Sequence, residues 1–225
     1  NNNDKNTNQY STNFIAECDM PTRLGHFRMR SYTYSSPNTY LEPIVMISGE
    51  IKDKENVIVR VHDQCFTSEV FGSQRCDCSE QLQESLKLIK TEDGIVIYLQ
   101  QEGRGIGIAN KVAAYNLQDQ GLDTIDANIH LGFKDEMREY YCVPEILNDL
   151  GIKSIRLITN NPFKINQLTN LGVNITDRIS VVIPPTKHNF RYLSSKRDRM
   201  NHMLPHNTDI TSDSNSDIIN KFRGG

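Results

Sequence analysis

Cys65, Cys76 and Cys78 fall in one short stretch, CFTSEVFGSQRCDC, with the spacing C-x10-C-x-C. Thiols crowded in this way serve as a disulfide, a redox pair, a metal site, or simply as small buried hydrophobes. A bridge between Cys76 and Cys78 would close a very tight ring of poor geometry. The chain has no C-x-x-C redox pair. Zinc accepts thiolates, and a catalytic zinc uses three protein ligands and one open position, a count that three clustered cysteines meet. A structural zinc would want a fourth ligand, for which His62 is the nearest candidate. Unliganded buried cysteines are common, so the spacing alone supports a metal site and a set of buried thiols about equally.

A second chemical signal is QQEGRGIGIANK, which follows the apolar run GIVIYLQ and leads into a helical pattern. Gly103, Gly105 and Gly107 could let backbone N–H groups approach an anion at a helix N-terminus. Arg104 adds a bidentate cation. The spacing is neither G-x-G-x-x-G nor a P-loop, and a plain glycine turn explains it as well. The junction ITNNPFK offers Thr159, Asn160, Asn161 and Lys164 in an equivalent position. Two such junctions point to a phosphate-rich ligand.

These residues need elements to position them. NVIVRVHD, GIVIYLQ, SIRLIT and ISVVIP read as strands, and so do the earlier FRMRSYTY and YLEPIVMISGE. SEQLQESLKLIK has helical spacing with Ser79 as its expected N-cap. IANKVAAYNLQDQ is expected to be a helix stopped by Gly121, and PEILNDLG a helix starting at Pro144. NPFKINQLTNLG is expected to be a helix capped by Asn161, and YLSSKRDRMNHML a last helix. Strands alternating with helices predict an α/β fold, a single domain with a mixed sheet and flanking helices over 13–204. Residues 1–12 and 205–225 are polar and are expected to be disordered tails.

The chain of 225 residues carries a net charge of −3, so bulk charge gives no argument for nucleic acid. No apolar run is long enough to span a bilayer, and the Asn-rich start lacks the apolar core of a secretory signal. Five cysteines, an odd number in a chain of this size, suggest a reducing compartment and hence the cytoplasm.

RVHDQC, GSQRCDCSEQL, QQEGRGIGIANKVAAYNLQDQGLDT, DANIHLGF and RLITNNPFK, in this order and spacing, resemble GTP cyclohydrolase II. The resemblance covers about 16–204. It implies zinc-dependent hydrolysis of GTP to a diaminopyrimidinone ribosylamino 5′-phosphate, formate and pyrophosphate, the first step of riboflavin biosynthesis. It also implies one Zn²⁺ per chain, Mg²⁺ with the triphosphate, and a homodimer. By the same resemblance Cys65, Cys76 and Cys78 are the zinc ligands. GTP contacts fall on Arg60, Val61, His62, Asp63, Gln64, Gln81, Glu102, Gly103, Arg104, Thr124, Thr159 and Lys164. Tyr115 matches a tyrosine of ring opening, and Arg138 an arginine proposed as nucleophile at the α-phosphate.

Two departures bear on the chemistry. The family often reads R-V-H-S-E-C, whereas here the acid is Asp63 and Gln64 precedes Cys65. Where the family has Asp two residues before the arginine, this chain has Glu136, with Asp135 beside it, and Glu136 is the expected acid/base by register. A guanidinium with a pKa above about 12 is a poor nucleophile unaided, so the competing expectation is that Arg138 clamps the phosphate while water attacks.

Overall fold

A computed structural model describes residues 9–134, 136–181 and 183, the side chains of Thr124, Ile125 and Asn128 excepted. The expected last helix over 192–204, the C-terminal tail and Asp135 lie outside the described residues.

The centre of the molecule is a mixed sheet. Its strands are β1 (Ser11–Thr22), β2 (Gly25–Ser35), β3 (Tyr40–Leu41), β4 (Ile44–Ser48), β5 (Val57–Asp63), β6 (Gly94–Leu99), β7 (Ile155–Ile158) and β8 (Ile175–Ile179). The order is β1-β2-β4-β6-β5-β7-β8, with β3 beside β2. Pairing is antiparallel from β1 to β6 and parallel from β6 through β5 and β7 to β8. GIVIYL is almost wholly buried because β6 lies at the heart of the sheet with layers on both faces.

The helices are α1 (Phe66–Glu69), α2 (Cys78–Glu92), α3 (Ile108–Asp119), α4 (Thr124–His130), α5 (Cys142–Asp149) and α6 (Pro162–Asn170). Strand alternation sorts the two faces. Val57, Val59 and Val61 of β5 pack with Ile95, Ile97, Val143, Ile146 and Leu168, under α5 and α6. Ile58 and Val96 pack with Leu88 and Ile89 of α2 on the other face. Each such fully buried aliphatic side chain contributes roughly 1.5–3 kcal/mol. Strand β6 lies on one side of β5 and β7 on the other, so the chain reverses its winding at β5. In open α/β sheets ligands bind at the carboxyl ends of strands flanking such a point.

Four sequence expectations shift. Helix α2 starts at Cys78 with Asp77 as N-cap, because the Ser79 N–H is taken by Ser68 Oγ (3.0 Å). Helix α5 starts at Cys142, so Pro144 is the third residue of its first turn, where no intrahelical N–H bond is lost. Among the described residues the last strand is Ile175–Ile179, which shares only Ile179 with the more apolar ISVVIP, since pairing with β7 sets its register from Ile155↔Ile175 to Ile158↔Ile179; Val182 and Pro184 lie outside the described residues. Ser11 and Thr12, assigned to a tail by their polarity, pair with Ser35 and Tyr34 in β1.

Candidate metal and nucleotide site

The carboxyl ends of β6, β5 and β7 are neighbours, and each runs straight into one of the motif loops. On the α2 side these loops build a thiol cluster. Cys65 follows β5, Cys76 lies in the loop before α2, and Cys78 opens α2. Their Sγ atoms all lie within 4.8 Å of one another, with Cys65 and Cys76 Sγ 3.6 Å apart. Hydrogen bonds from the Cys76 and Cys78 thiols, and then the nearby Lys111 ammonium, hold the Cys65 thiol far below its ordinary pKa. The same sharing pushes Cys76 and Cys78 up. The cluster thus carries one negative charge by itself, and full deprotonation calls for a cation.

Lys111 on α3 is a site residue that sequence reading missed. Its Nζ donates to Cys65 Sγ (3.1 Å) and to Glu102 Oε1 (2.5 Å), and its side chain is only 12% exposed. The other oxygen of Glu102 accepts from Phe66 N (2.7 Å), so Glu102 clamps the loop after β6 to the loop after β5. One helical turn beyond Lys111 lies Tyr115, with the Arg75 guanidinium 4.4 Å and Lys111 Nζ 5.7 Å from its ring centroid. Burial raises the Tyr115 pKa, keeping the phenol protonated. The i, i+4 spacing of Lys111 and Tyr115 puts both on one helix face, and that spacing was the available sequence signal.

His62 stands apart from the thiol cluster. It is 2% exposed, and its Nε2 pairs with Glu69 Oε1 (2.9 Å). Glu69 Oε2 accepts from Cys65 N (2.6 Å) and from the Tyr98 hydroxyl (3.1 Å). His62 and Glu69 thereby brace the backbone of Cys65. The Val61 side chain is wholly in the core, leaving only its backbone to the site, and its carbonyl accepts from Lys164 Nζ (3.0 Å).

The glycine turn is left-handed. Gly103, Arg104 and Gly105 have φ of 61°, 62° and 91°. For Arg104 this conformation costs roughly 1–2 kcal/mol. Two of the three N–H groups expected to face an anion are used internally: Gly103 N donates to Glu102 Oε1 and Gly107 N to the Glu102 carbonyl. The Arg104 carbonyl accepts from Met137 N (3.1 Å), and Gly105 packs so closely on Met137 that a Cβ would lie 3.0 Å from its backbone. The turn therefore seats the segment 136–140.

On the α5/α6 side that segment meets Asp63. Arg138, its side chain 15% exposed, donates through Nε to Glu136 Oε1 (2.8 Å), through Nη2 to Glu136 Oε2, and through Nη1 to Asp63 Oδ2 (3.2 Å). Burial opposes its charge, but Tyr140, Glu136 and Asp63 outweigh it and hold the guanidinium firmly protonated. Asp63 Oδ2 also accepts from the Tyr140 hydroxyl (2.6 Å) and Lys164 Nζ (3.1 Å), and Oδ1 from Gln101 Nε2 (3.1 Å). Burial opposes the Asp63 carboxylate too, yet Lys164 and Arg138 keep its pKa well below the usual range. Burial lowers Lys164 to about 8, against the pull of Asp63 and with the help of Arg60 and Arg138. Gln101 Oε1 accepts from Glu139 N (2.6 Å), and Tyr34 and Asn38 hold the Glu139 carboxylate. A cleft of ≈ 710 Å³ lies beside this group, lined by Glu136, Arg138, Tyr140, Tyr141 and Gln167 among others.

Between the clusters, Arg60 donates to Gln81 Oε1 (2.8 Å) and to the Ile158 carbonyl (3.2 Å), and Gln81 Nε2 donates to Asp77 Oδ2 (2.8 Å). Arg60 Nε is buried without a partner among the described residues. Thr159 is buried, its Oγ1 accepting from Asn161 N (3.0 Å), while Asn161 caps α6 by accepting from Phe163 N. Gln64 is half-buried and tied by its N–H to the Leu99 carbonyl (2.8 Å). Thr124 opens α4, and its side chain lies outside the described residues. Gln101, Glu69 and Tyr140 join Lys111 as site residues that sequence reading did not single out, although the first two and Lys111 lie inside the quoted motifs.

Residues 13–180 match the family profile described as GTP cyclohydrolase II. The riboflavin biosynthesis protein RibBA of Endomicrobium trichonymphae is 46% identical over 191 residues, covering 84% of this chain and 47% of that protein. RibBA of Phocaeicola vulgatus is 47% identical over 192 residues, again covering 47% of the relative. The GTP cyclohydrolase-2 of Picrophilus torridus is 44% identical over 192 residues, 85% of this chain and 98% of the relative. The chain spans about half the length of the two RibBA proteins and nearly all of the third. With a profile match over more than half its length and a full-length relative at this identity, the chain belongs to the GTP cyclohydrolase II family.

Proposed function

We propose that this chain hydrolyses GTP to a diaminopyrimidinone ribosylamino 5′-phosphate, formate and pyrophosphate, the first step of riboflavin biosynthesis. One observation carries the reading. Two chemically different centres, a thiol cluster and a buried cation–carboxylate cluster, share the carboxyl ends of three adjacent parallel strands. The reaction needs two chemistries, water addition and hydrolysis at guanine C8 and displacement at the α-phosphorus.

Cys65, Cys76 and Cys78 would hold one zinc ion and leave its fourth position open. Tetrahedral zinc with Zn–S bonds of about 2.3 Å sets its sulfurs about 3.8 Å apart, and a trio within 4.8 Å, with one pair at 3.6 Å, fits that spacing. Bound zinc supplies Lewis acidity and a water acidified to a pKa of about 7. Lys111 offsets thiolate charge at Cys65, and Glu102 fixes the loop that carries it. Tyr115, kept protonated by burial, holds or gives a proton at the guanine ring nitrogen.

At the phosphates, Arg138 and Lys164 act with the Mg²⁺ that accompanies the triphosphate to neutralise charge as pyrophosphate leaves. The raised pKa of Arg138 and its two-point grip by Glu136 favour a charged clamp, with water attacking phosphorus, over a guanidinium nucleophile. Glu136 orients the clamp and is the carboxylate available for proton transfer there. Arg60, Gln64, Gln81, Arg104, Thr124 and Thr159 complete the nucleotide contacts. No described helix is long and apolar enough to cross a membrane. A cytoplasmic homodimer with GTP as its ligand, and without nucleic acid, accords with this reading.

The test is incubation of the zinc-loaded protein with GTP and Mg²⁺, followed by assays for formate, pyrophosphate and the pyrimidine. Formate with pyrophosphate is expected. Pyrophosphate with GMP would make the chain a diverged member that stops early. Tight GTP binding without turnover would make it a nucleotide binder.

A further inference from the structure

The acid that precedes Cys65 sits at position 63, and in a strand a one-residue shift changes the face. Val57, Val59 and Val61 of β5 face the α5/α6 layer, and Asp63 continues that row. Its carboxylate is consequently turned away from the thiol cluster and into the group around Arg138. There both oxygens are engaged and Oδ2 is saturated. Oδ1 is held by Gln101, and Oδ2 by Tyr140, Lys164 and Arg138. These donors come from three separate segments: the loop after β6, the segment 136–140 ahead of α5, which supplies both Arg138 and Tyr140, and the first turn of α6. Two are neutral and fix the carboxylate. Two are cations and are fixed by it. Two cations converging on one anionic oxygen is also the arrangement that receives a phosphoryl oxygen.

We propose that Asp63 is a positioning residue rather than a substrate contact: an internal counter-anion, itself anchored by Tyr140 and Gln101, that holds Arg138 and Lys164 aimed at the phosphoryl group before substrate arrives. This rests on the reading of Arg138 and Lys164 as phosphate-binding groups in the reaction proposed above. Three donors crowd Oδ2 beyond its two lone pairs, so the oxygen that faces both cations has no direction left for Mg²⁺ or a ribose hydroxyl. It also competes with the substrate for both cations, so the arrangement gives up some affinity in exchange for alignment. Tyr140 is the second positioning residue of the same device.

The test compares wild type, Asp63→Asn and Tyr140→Phe in steady-state turnover of GTP and in binding of inorganic tripolyphosphate without divalent metal, with thermal unfolding as the folding control. Asp63→Asn is expected to lose kcat on the order of 10²-fold through misalignment, with KM for GTP unchanged or lower. Its tripolyphosphate affinity should rise at least about threefold, because two cations have lost their counter-anion. Tyr140→Phe keeps the charge and loosens the anchor, so it should lower kcat by less and leave tripolyphosphate affinity unaltered. A raised KM with kcat retained would make Asp63 a substrate contact and overturn the proposal. Unchanged kcat and KM with a lowered Tm would reduce it to a structural residue, which also overturns it. A wild-type chain that binds tripolyphosphate but leaves GTP intact would remove the reaction proposed above, while the tripolyphosphate comparison still decides for or against Asp63.

Discussion

Replacing Lys111 by Met removes the one ammonium that, among the described residues, touches the thiol cluster, while keeping most of the side-chain volume. Lys111 Nζ is 3.1 Å from Cys65 Sγ and its side chain is 12% exposed, so solvent screens the pair only weakly. At that separation and an effective dielectric of about 20, the gross attraction between unit charges is ~5 kcal/mol. The net effect is smaller, because the lysine no longer has to be desolvated. Loss of an outer partner of a metal ligand typically weakens metal binding about 10–100-fold, or ~1.4–2.8 kcal/mol. The expectation for Lys111→Met is a loss in that range, read by competition with a chromogenic chelator, with Lys111→Arg retaining most of the affinity. The reason is charge. Three thiolates around a divalent ion leave a net negative centre beside the Glu102 carboxylate, and Lys111 is what offsets it. Zinc affinity in Lys111→Met within about threefold of wild type would refute that reasoning.

Three further outcomes follow from the geometry. Lys164 has a pKa of about 8, so its positive charge is full below pH 8 and lost above it; 1/KM for GTP should fall as pH rises through 8, whereas Lys164→Arg, flanked by the same Asp63, Arg60 and Arg138, should stay flat to higher pH. Gly105→Ala puts a Cβ 3.0 Å from the Met137 backbone at a φ of 91°; the left-handed conformation alone should cost roughly 1–2 kcal/mol, seen as a lowered Tm, with turnover falling because Met137 anchors the Arg138 segment. Arg138→Lys loses the two-point contact with Glu136 and should slow pyrophosphate release on the order of 10²-fold, with no guanylylated protein detectable by intact mass in wild type or variant.

How much of this was legible in the sequence depends on range. NVIVRVHD, GIVIYLQ and SIRLIT announced β5, β6 and β7 because central parallel strands are apolar on both faces. Asn161 and Pro162 announced the start of α6 by local chemistry. Strand β1 was not read from the sequence, since it is exposed along nearly its whole length and has no apolar alternation; its partner β2 defines it. The last described strand lies ahead of its expected place for a related reason, as its register with β7 is set from Ile175 to Ile179. In the site, spacing left the thiols balanced between a metal site and buried cysteines, and resemblance was what pointed to zinc ligands and to the nucleotide contacts of the two loop motifs. Lys111, Gln101 and Tyr140 were singled out by neither, because what makes them matter is a partner 38 to 77 positions away in the chain. The acid at 63 instead of 64 looked like a conservative displacement in one dimension. Strand alternation makes it a change of face and of partners.

The central claim is that a metal-loaded thiol cluster and a charged phosphate cluster act on the same GTP molecule. The most direct measurement is formate and pyrophosphate released from GTP as zinc is titrated into the metal-free protein. The account predicts saturation at one zinc per chain, with formate and pyrophosphate in equal amounts at that point and no formate without metal. Formate release that does not depend on zinc, or pyrophosphate release that never acquires matching formate at full zinc occupancy, would contradict it.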